Sequence, residues 1–384
     1  MEPINVILVG AGGYGEFYLD ALLSEGEARG LRLAGVIDPY LEGCRRLAEL
    51  QELGVPLFNR LEDFFRLHRC DLTILSSPIH LHCEQTCLAL AYGSHVLCEK
   101  PLCARLDHVE QMLAAEQASG KTVTVGYQWS FSDAIQRLKG DALAGRFGHP
   151  QRLRTLAIAP RTEAYYQRNR WAGRKHTAEG EPIFDSPVNN ATAHYLHNML
   201  YVLGPTVSES SHPVKVEAEL WRANAIENYD TAALRIQDQK GTELLFYTSH
   251  AVQMGQRFVF SYEFERAAIE YESTRGHVLA RLSGGEIIDY GSPGAEPRQK
   301  LWDAAASART GRAPVCGIAA ASAHARCVLL TQEVPQGIRD FPSAAINIDQ
   351  SNPPALRYVK GLAEALERCY ETGKLFSEMR GLAL

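Results

Sequence analysis

Gly10-Ala11-Gly12-Gly13-Tyr14-Gly15 follows directly after residues 4–9, which form a mostly apolar run. Such a run predicts a parallel strand that is covered on both faces. A G-x-G-x-x-G between a strand and a helix predicts a dinucleotide site: the first glycine permits a tight turn, the second lets backbone N–H groups approach a pyrophosphate, and the third lets the helix pack closely on the strand. The predicted phosphate-binding residues are Gly10, Gly12, Gly13, Tyr14 and Gly15.

A second predicted strand, residues 31–37, ends at an acidic residue. Asp38 comes 23 residues after Gly15 (38 minus 15), close to the ~20 expected for an acid that hydrogen-bonds the ribose hydroxyls of the adenosine. A carboxylate at this point repels a 2′-phosphate. We therefore expect NAD as the cofactor rather than NADP.

Strand and helix patterns alternate through the first third of the chain and then give way to strands with alternating polarity. The first arrangement is typical of a doubly wound parallel sheet. The second, as in residues 232–236 and 259–264, indicates an antiparallel sheet with one covered face. A chain of 384 residues is long enough for two domains. We predict an α/β protein with an NAD(P)-binding domain over residues 1–125, and a substrate-binding and oligomerisation domain with C-terminal helices over residues 126–384.

The composition argues against several classes of protein. A net charge of −6 and a pI near 6.1 give no basic surface for nucleic acid or an anionic membrane, and no apolar run reaches the ~18 residues of a membrane span. Nine scattered cysteines without a signal-peptide layout are typical of buried thiols in a cytoplasmic protein. His80, His82, Cys83 and Cys87 are close enough in sequence to suggest zinc, but no second pair with zinc-site spacing is near, so we expect no metal.

Several polar segments fall where predicted parallel strands end, the edge at which such sheets bind ligands. They are Ser76-Ser77-Pro78, Glu99-Lys100-Pro101 and Tyr127-Gln128. Lys100 would lie where the nicotinamide sits, and the positive charge of oxidised nicotinamide disfavours protonation of a nearby lysine and favours its use as a base. A solvated lysine at a strand end is the alternative. Gln128 offers a donor and an acceptor to the nicotinamide amide or to a substrate hydroxyl, and a solvated loop glutamine is its alternative.

These motifs, together with residues 91–101 and with His194 four residues after Asn190, resemble the glucose-fructose oxidoreductase, inositol dehydrogenase and MocA (Gfo/Idh/MocA) family. The resemblance covers the N-terminal domain nearly end to end. It implies a Rossmann domain followed by an α/β domain on an open, largely antiparallel sheet. It also implies NAD(P)-dependent oxidation or reduction of a hydroxyl or carbonyl on a sugar, cyclitol or related polyol. The further cofactor contacts are then Ser76, Ser77, Pro78, His82, Glu99, Lys100, Pro101 and Gln128.

By position, the resemblance assigns catalytic roles to three residues. Lys100 corresponds to the catalytic lysine, and His194 corresponds to the histidine that contacts the reacting oxygen. Where the family usually has Asp, this chain has Asn190, which cannot ionise and so cannot share a proton with His194. We therefore expect Lys100 to be the acid/base and Asn190 and His194 to hold the reacting oxygen. A buried histidine with a purely structural role is the alternative for His194.

The segment from residue 165 to residue 176 is dense in donors and aromatic side chains. Aromatic faces suit the C–H surfaces of sugars, and arginine forks suit a carboxylate or phosphate. A solvated loop with one packed tryptophan is the alternative. The predicted substrate-binding residues are Tyr127, Arg170, Trp171, Asn190 and His194.

The sequence thus predicts an NAD-dependent oxidoreductase that transfers a hydride to or from a small polyhydroxylated substrate. Two alternatives stay open. One is a glycosidase that oxidises a sugar, eliminates its aglycone and reduces it again. The other is a dinucleotide-binding sensor or partner subunit without catalysis, which the absence of a carboxylate at Asn190 makes credible.

A homodimer or homotetramer is also expected. Apolar residues occur on strands of a second-domain sheet that has few predicted helices to cover both faces. One face can pack on the helix that carries His194, but the other must meet water or a partner, and an exposed apolar face usually marks an interface. These residues are Leu244, Phe246, Phe260, Tyr262 and Phe264.

Overall fold

The chain divides into two units in a computed structural model that describes residues 2–351 and 354–379. Met1 and residues 380–384, at the ends of the predicted domains, lie outside the described residues. The first unit comprises Met1–Phe131 and Glu296–Ser322, and the second comprises Ser132–Ala295 and Ala323–Leu384. The first unit therefore contains a segment that its position in the sequence alone assigns to the second.

The first unit is built on a parallel sheet of six strands in the order β3-β2-β1-β4-β5-β6. The strands are β1 (Ile4–Val9), β2 (Leu31–Ile37), β3 (Leu57–Phe58), β4 (Leu72–Leu75), β5 (His95–Cys98) and β6 (Val123–Val125). The order reverses at β1, which pairs with both β2 and β4, and ligands of such sheets bind in the crevice at this point. The predicted doubly wound sheet is confirmed.

The second unit contains a mixed, mostly antiparallel sheet in the order β14-β13-β12-β11-β7-β10-β9-β8-β15. Its strands are β7 (Pro150–Ile158), β8 (Pro213–Arg222), β9 (Thr231–Asp238), β10 (Glu243–Ser249), β11 (Arg257–Phe264), β12 (Ala267–Glu272), β13 (Val278–Leu282), β14 (Ile287–Gly291) and β15 (Ile338–Asp340). Among the described strands of this sheet, only β7–β10 and β8–β15 pair in parallel. Strands β16 (Ile346–Asp349) and β17 (Leu356–Val359) form a separate antiparallel pair.

Eleven α-helices lie in the described residues. They are α1 (Gly15–Ala21), α2 (Leu47–Glu52), α3 (Leu61–Leu67), α4 (His82–Ala91), α5 (Leu106–Ser119), α6 (Asp133–Leu143), α7 (Glu163–Gln167), α8 (Ala193–Val202), α9 (Gln299–Thr310), α10 (Ile318–Gln332) and α11 (Leu362–Thr372). Gly361, with φ +79°, separates strand β17 from helix α11. Within the described ranges, no helix is long and apolar enough to cross a membrane.

Helix α9 belongs to the core of the first unit although it comes after most of the second unit in the sequence. Leu301, Ala304 and Ala305 of α9 are buried in the same apolar cluster as Val6 and Leu8 of strand β1. This packing carries the residues at the start of α9 to the parallel sheet.

The apolar residues named for the predicted interface are buried within the second unit, on the face that was expected to pack on the helix carrying His194. Leu244, Phe246, Phe260, Tyr262 and Phe264 are all at most 7% exposed. They share the sheet face that helix α8 covers, where Asn198 Nδ2 donates to the hydroxyl of Tyr262 at 3.1 Å. The oligomeric state stays a prediction without this support.

The opposite face of the same sheet is also covered near its centre. Leu156, Leu245 and Tyr247 pack in one cluster with Leu366 and Cys369 of helix α11. Beyond this cluster the strands carry ion pairs: Arg152–Glu243, Arg154–Glu263, Arg257–Glu272 and Arg281–Glu270. This face is therefore partly covered by the chain's own helix and otherwise charged.

Truncating the α11 contact tests its contribution to stability. Leu366→Ala removes a fully buried side chain, and such a change costs about 2–5 kcal/mol in free energy of unfolding because it leaves a cavity. Urea unfolding measures the loss. Leu67→Ala is the matched control, since Leu67 is 72% exposed and should lose at most about 0.5 kcal/mol. Equal losses in the two variants would contradict the packing of α11 on the sheet.

Candidate functional site

The glycine turn has no room for a side chain at two of its positions and is open at two others. A Cβ on Gly15 would lie 1.9 Å from the carbonyl oxygen of Gly10, and a Cβ on Gly10, whose φ is +87°, would lie 2.7 Å from that of Ser76. A Cβ on Gly12 or Gly13 would meet no atom within 4 Å. The backbone at Gly12 and Gly13 is therefore accessible to the pyrophosphate of a dinucleotide.

Asp38, just after strand β2, holds this turn in place. Its Oδ2 accepts a hydrogen bond from the backbone N–H of Ala11, and its Oδ1 accepts one from that of Tyr40, both at 2.8 Å. An ionised carboxylate has about four lone-pair sites, so both oxygens can still accept from ribose hydroxyls. The turn and the acid together fit NAD.

A buried histidine links the ends of strands β4 and β5. His82 is 1% exposed, its Nε2 lies 2.9 Å from the carbonyl oxygen of Ser77, and its Nδ1 lies 2.9 Å from that of Pro101. Burial lowers the pKa of His82, and the surrounding carbonyl groups partly oppose the shift. The structure therefore brings the predicted segments 76–78 and 99–101 together at one sheet edge.

Glu99 is the buried anchor of the lysine segment. Its Oε2 accepts from the backbone N–H of Lys100 at 3.1 Å, and its Oε1 accepts from the hydroxyl of Tyr18 and the ammonium of Lys300. Lys100 itself is half-buried and precedes Pro101 through a cis peptide bond. Glu99 thus fixes the backbone of the residue that is the predicted acid/base.

Lys300, at the start of helix α9, is a residue of this site that the sequence analysis missed. Its side chain is fully buried, and its Nζ donates to Glu99 Oε1 and, at 3.0 Å, to the hydroxyl of Tyr14. Burial by itself would lower the pKa of Lys300 and raise that of Glu99. The attraction between them outweighs burial in both cases, so the pKa of Lys300 is raised and that of Glu99 is lowered. Both groups are therefore charged at neutral pH.

Tyr14 extends this network toward the segment after strand β6. Its hydroxyl lies 3.5 Å from Oε1 of Gln128, which joins the glycine turn to a predicted cofactor contact. Tyr127 is 1% exposed, and burial raises the pKa of its phenol well above the ordinary value. Its contact with substrate and the contact of Gln128 with cofactor stay predictions.

In the second unit, Asn190 lies in a π-helical turn, Pro187–Ala191, just before helix α8, which carries His194. The side-chain Nδ2 of Asn190 donates to Oδ1 of Asp185 at 2.8 Å. Because a carboxylate only accepts hydrogen bonds, this contact determines which way the amide faces and leaves Oδ1 of Asn190 on the other side. A buried carboxylate therefore does lie beside Asn190, although it comes from position 185 rather than from position 190.

Arg170 and Trp171 belong to a loop of the second unit that borders a cavity of about 500 Å³. Oδ1 of Asn169 accepts from the backbone N–H groups of Trp171 and Ala172 at 3.1 and 2.8 Å, which holds the loop in a turn. Arg170 lines the cavity and is exposed, and Trp171 is half-buried. Their roles in substrate binding stay predictions.

No group of three or more His, Cys, Asp or Glu side chains in residues 2–351 and 354–379 is arranged to hold a metal ion. The cysteines that suggested zinc lie on helix α4, where the Sγ atom of Cys83 contacts the carbonyl oxygen of His108 at 3.7 Å.

Comparison with known proteins identifies the first unit. Residues 4–127 match the sequence model of the Gfo/Idh/MocA family, which is described as an oxidoreductase family with an NAD-binding Rossmann fold. These residues form a Gfo/Idh/MocA-family domain. For residues 4–127, the predicted family and cofactor class are thereby confirmed.

Relatives of this Gfo/Idh/MocA domain include two curated enzymes. The 2,7-anhydro-N-acetylneuraminate hydratase of Mediterraneibacter gnavus is 26% identical over 38% of this chain and 38% of its own length. The NADP(+)-dependent scyllo-inositol 2-dehydrogenase of Bacillus subtilis is 29% identical over 32% of this chain and 33% of its own length. The alignments thus span only a third to two-fifths of these relatives.

The whole fold is similar to that of solved dehydrogenases. The WlbA dehydrogenase of Bordetella pertussis, solved with NADH and UDP-GlcNAcA, aligns with a TM-score of 0.69 at 19% identity, over 86% of this chain and 97% of its own. At this identity the likeness shows the fold, and it confirms the predicted α/β architecture.

The sequence analysis missed two residues of the candidate site. Lys300 is 201 positions from Glu99, and nothing in its local sequence indicates burial. Asp185 is only five positions from Asn190, but the irregular turn between them has no periodicity from which a contact could be predicted. Neither contact therefore follows from a local sequence pattern.

Removing the Lys300 ammonium tests the buried ion pair. Lys300→Met leaves Glu99 buried without its cation, which should lower the free energy of unfolding at pH 7 by about 3–5 kcal/mol. The Glu99→Gln/Lys300→Met double variant carries neither charge of this pair, so its free energy of unfolding should fall by less. Urea unfolding of the three proteins measures this, and an equally stable single variant would contradict the pairing.

The same single variant should show a defined pH dependence. In the wild type the pKa of Glu99 is lowered, so its contribution to stability is present above the ordinary pKa and is lost as pH falls through the lowered value. Without Lys300, burial raises the pKa of Glu99, and protonation then removes the unpaired charge at a higher pH. The stability gap between wild type and Lys300→Met should therefore narrow from pH 7 to about pH 5, and a constant gap would contradict the assignment.

Proposed function

We propose that the chain is an NAD-dependent oxidoreductase that acts on a hydroxyl or carbonyl of a sugar, cyclitol or related polyol. In this proposal residues 1–125 bind the cofactor and residues 126–384 bind the substrate. The observation that carries it is the open backbone at Gly12 and Gly13 beside Asp38, whose carboxylate bonds to the turn itself. This arrangement suits a dinucleotide with a free ribose 2′-hydroxyl.

Lys100 is the proposed acid/base. Oxidation of a secondary alcohol requires a base for the O–H proton, and bound NAD accepts the hydride from carbon. In the reverse direction a cationic lysine returns the proton to the same oxygen. The Glu99 carboxylate, held ionised by Lys300, accepts from the backbone N–H of Lys100 and keeps that segment in one conformation.

Asn190 and His194 are the proposed contacts of the reacting oxygen. With its Nδ2 donated to Asp185, Asn190 presents Oδ1 as an acceptor for a substrate hydroxyl. An amide does not titrate near neutral pH, so Asn190 positions the hydroxyl and leaves proton transfer to Lys100.

A second candidate is a reaction in which the redox step is transient. It is favoured by one observation: a relative of the Rossmann domain is a hydratase of an anhydro sugar, and hydration involves no net oxidation. The glycosidase that the sequence analysis left open belongs to this class.

A panel of polyols, sugars and glycosides separates the two candidates. Accumulation of NADH at 340 nm in proportion to product supports the dehydrogenase. Product formation that needs NAD but leaves no net NADH supports the transient reaction. Tight NAD binding with no product from any compound would contradict both candidate reactions. It would favour a dinucleotide-binding sensor or partner subunit without catalysis.

NAD should bind more tightly than NADP, because Asp38 accepts from the ribose hydroxyls and repels a 2′-phosphate. Calorimetric titration with both cofactors measures the difference. Asp38→Ser should reduce this preference, since it removes the charge. Equal affinities in the wild type, or tighter binding of NADP, would contradict the role of Asp38.

Lys100→Met should lower turnover on an identified substrate by ~10²–10⁴ while leaving NAD affinity largely intact, because it keeps the apolar stem and removes the proton carrier. Steady-state kinetics and cofactor titration measure the two effects. Lys240→Met, at an exposed lysine of the second unit, is the control and should not change turnover. Near-normal turnover in Lys100→Met would contradict the acid/base assignment.

A further inference from the structure

We propose that the cavity of the second unit binds an anionic substituent, a carboxylate or phosphate, of the polyhydroxylated substrate, and that Arg170 and Arg174 hold that anion. This proposal rests on the proposed function, because it specifies the substrate class of the same unit. The cavity has a volume of about 500 Å³, and the residues lining it include Arg170, Arg174, Arg357, Asn224, Glu163 and Glu227.

The charges around the cavity are not balanced. Arg357 is neutralised by Glu163, with Nε 3.0 Å from Oε1. Within the described part of the chain, the guanidinium groups of Arg170 and Arg174 make no hydrogen bond or ion pair, and both residues are exposed. Two unpaired guanidinium groups at one cavity are suited to a planar or tetrahedral oxyanion, which each can bind through two N–H groups.

Glu227, the other acid of the cavity, offsets this positive charge only in part. One oxygen of Glu227 accepts from the backbone N–H of Lys175 at 3.0 Å, and the other lies 3.7 Å from Nδ1 of His176. Its contacts are thus to the chain beside the cavity. Three arginines and two glutamates leave the lining with a net positive charge.

Asn224 gives an independent indication of a ligand. It is 5% exposed and lines the cavity. Its Nδ2 donates to Oδ2 of Asp230 at 2.8 Å, and since a carboxylate only accepts, the amide orientation is determined. Oδ1 of Asn224 is then a buried acceptor that has no hydrogen-bond partner in residues 2–351 and 354–379. A buried acceptor without a donor costs free energy, and a substrate hydroxyl would satisfy it once a small shift of the lining exposes this oxygen to the cavity.

The cavity wall is connected to the proposed substrate contact at Asn190. Gly173 lines the cavity, and its backbone N–H donates to Oδ2 of Asp185 at 2.7 Å, while Oδ1 of the same carboxylate accepts from Asn190. One buried carboxylate therefore bonds both to the cavity wall and to the predicted hydroxyl contact. A polyol with its reacting hydroxyl at Asn190 would have its charged substituent in the cavity.

Calorimetry on the full chain saturated with NAD tests the proposal with three probes: glucose, glucuronate and glucose 6-phosphate. At least one anionic sugar should bind about tenfold or more tightly than glucose, and its affinity should fall as salt is raised. Tighter binding of glucuronate identifies a carboxylate, and tighter binding of glucose 6-phosphate identifies a phosphate.

Variants show whether the arginines cause the preference. Arg170→Gln/Arg174→Gln should remove the anion preference, a loss of about tenfold or more, without changing NAD affinity. Arg66→Gln, at a 70% exposed side chain of the first unit, is the matched control and should behave as the wild type. Equal affinity for the three probes, no binding of either anionic sugar, or an unchanged preference in the double variant would overturn the proposal.

The outcome is separable from that of the proposed function, since calorimetry detects binding without turnover. Arginine-dependent anion binding with no NADH or product formed would support the subsite and contradict the oxidoreductase. Turnover of neutral polyols with no anion preference would support the oxidoreductase and contradict the subsite.

Discussion

The absence of any side chain at Gly15 is the constraint on which the first unit depends. A Cβ at this position would lie 1.9 Å from the carbonyl oxygen of Gly10, a distance at which backbone would have to move. Helix α1 can begin directly against the end of strand β1 only because that atom is missing. The close approach leaves the turn between them short, with Gly12 and Gly13 facing open space, and Asp38 bonds to the backbone of this turn at Ala11.

A second element stabilises the site from a distant part of the chain. Helix α9 packs on the parallel sheet through Leu301, and this places the preceding residue, Lys300, against Glu99. Burying these two opposite charges costs desolvation free energy, which their mutual attraction and their hydrogen bonds offset. The hydroxyls of Tyr14 and Tyr18 complete the hydrogen bonding. The glycine turn and the lysine segment are therefore parts of one buried polar network.

The second unit differs from the expectation at its sheet faces and at Asn190. Strand alternation correctly indicates which residues share a face, but it does not show what covers each face. Helix α8 buries Tyr262 and its neighbours, and helix α11 covers much of the other face through Leu366. Similarly, the missing carboxylate at position 190 suggested a lost function, whereas Asp185 supplies a buried carboxylate to the amide. The second unit thus has a buried carboxyl group beside its proposed hydroxyl contact.

The sequence by itself determined the parallel sheet, the glycine turn and the acid at its second strand, because each depends on local backbone geometry and short-range periodicity. It also placed the 76–78 and 99–101 segments at one edge, since parallel strands end on the same side. Only the tertiary structure decided the partner of Glu99, the neighbour of Asn190 and the arginines at the cavity. Lys300 meets Glu99 through the packing of separate elements, and Asp185 meets Asn190 across an irregular turn, so no periodic spacing encodes either contact.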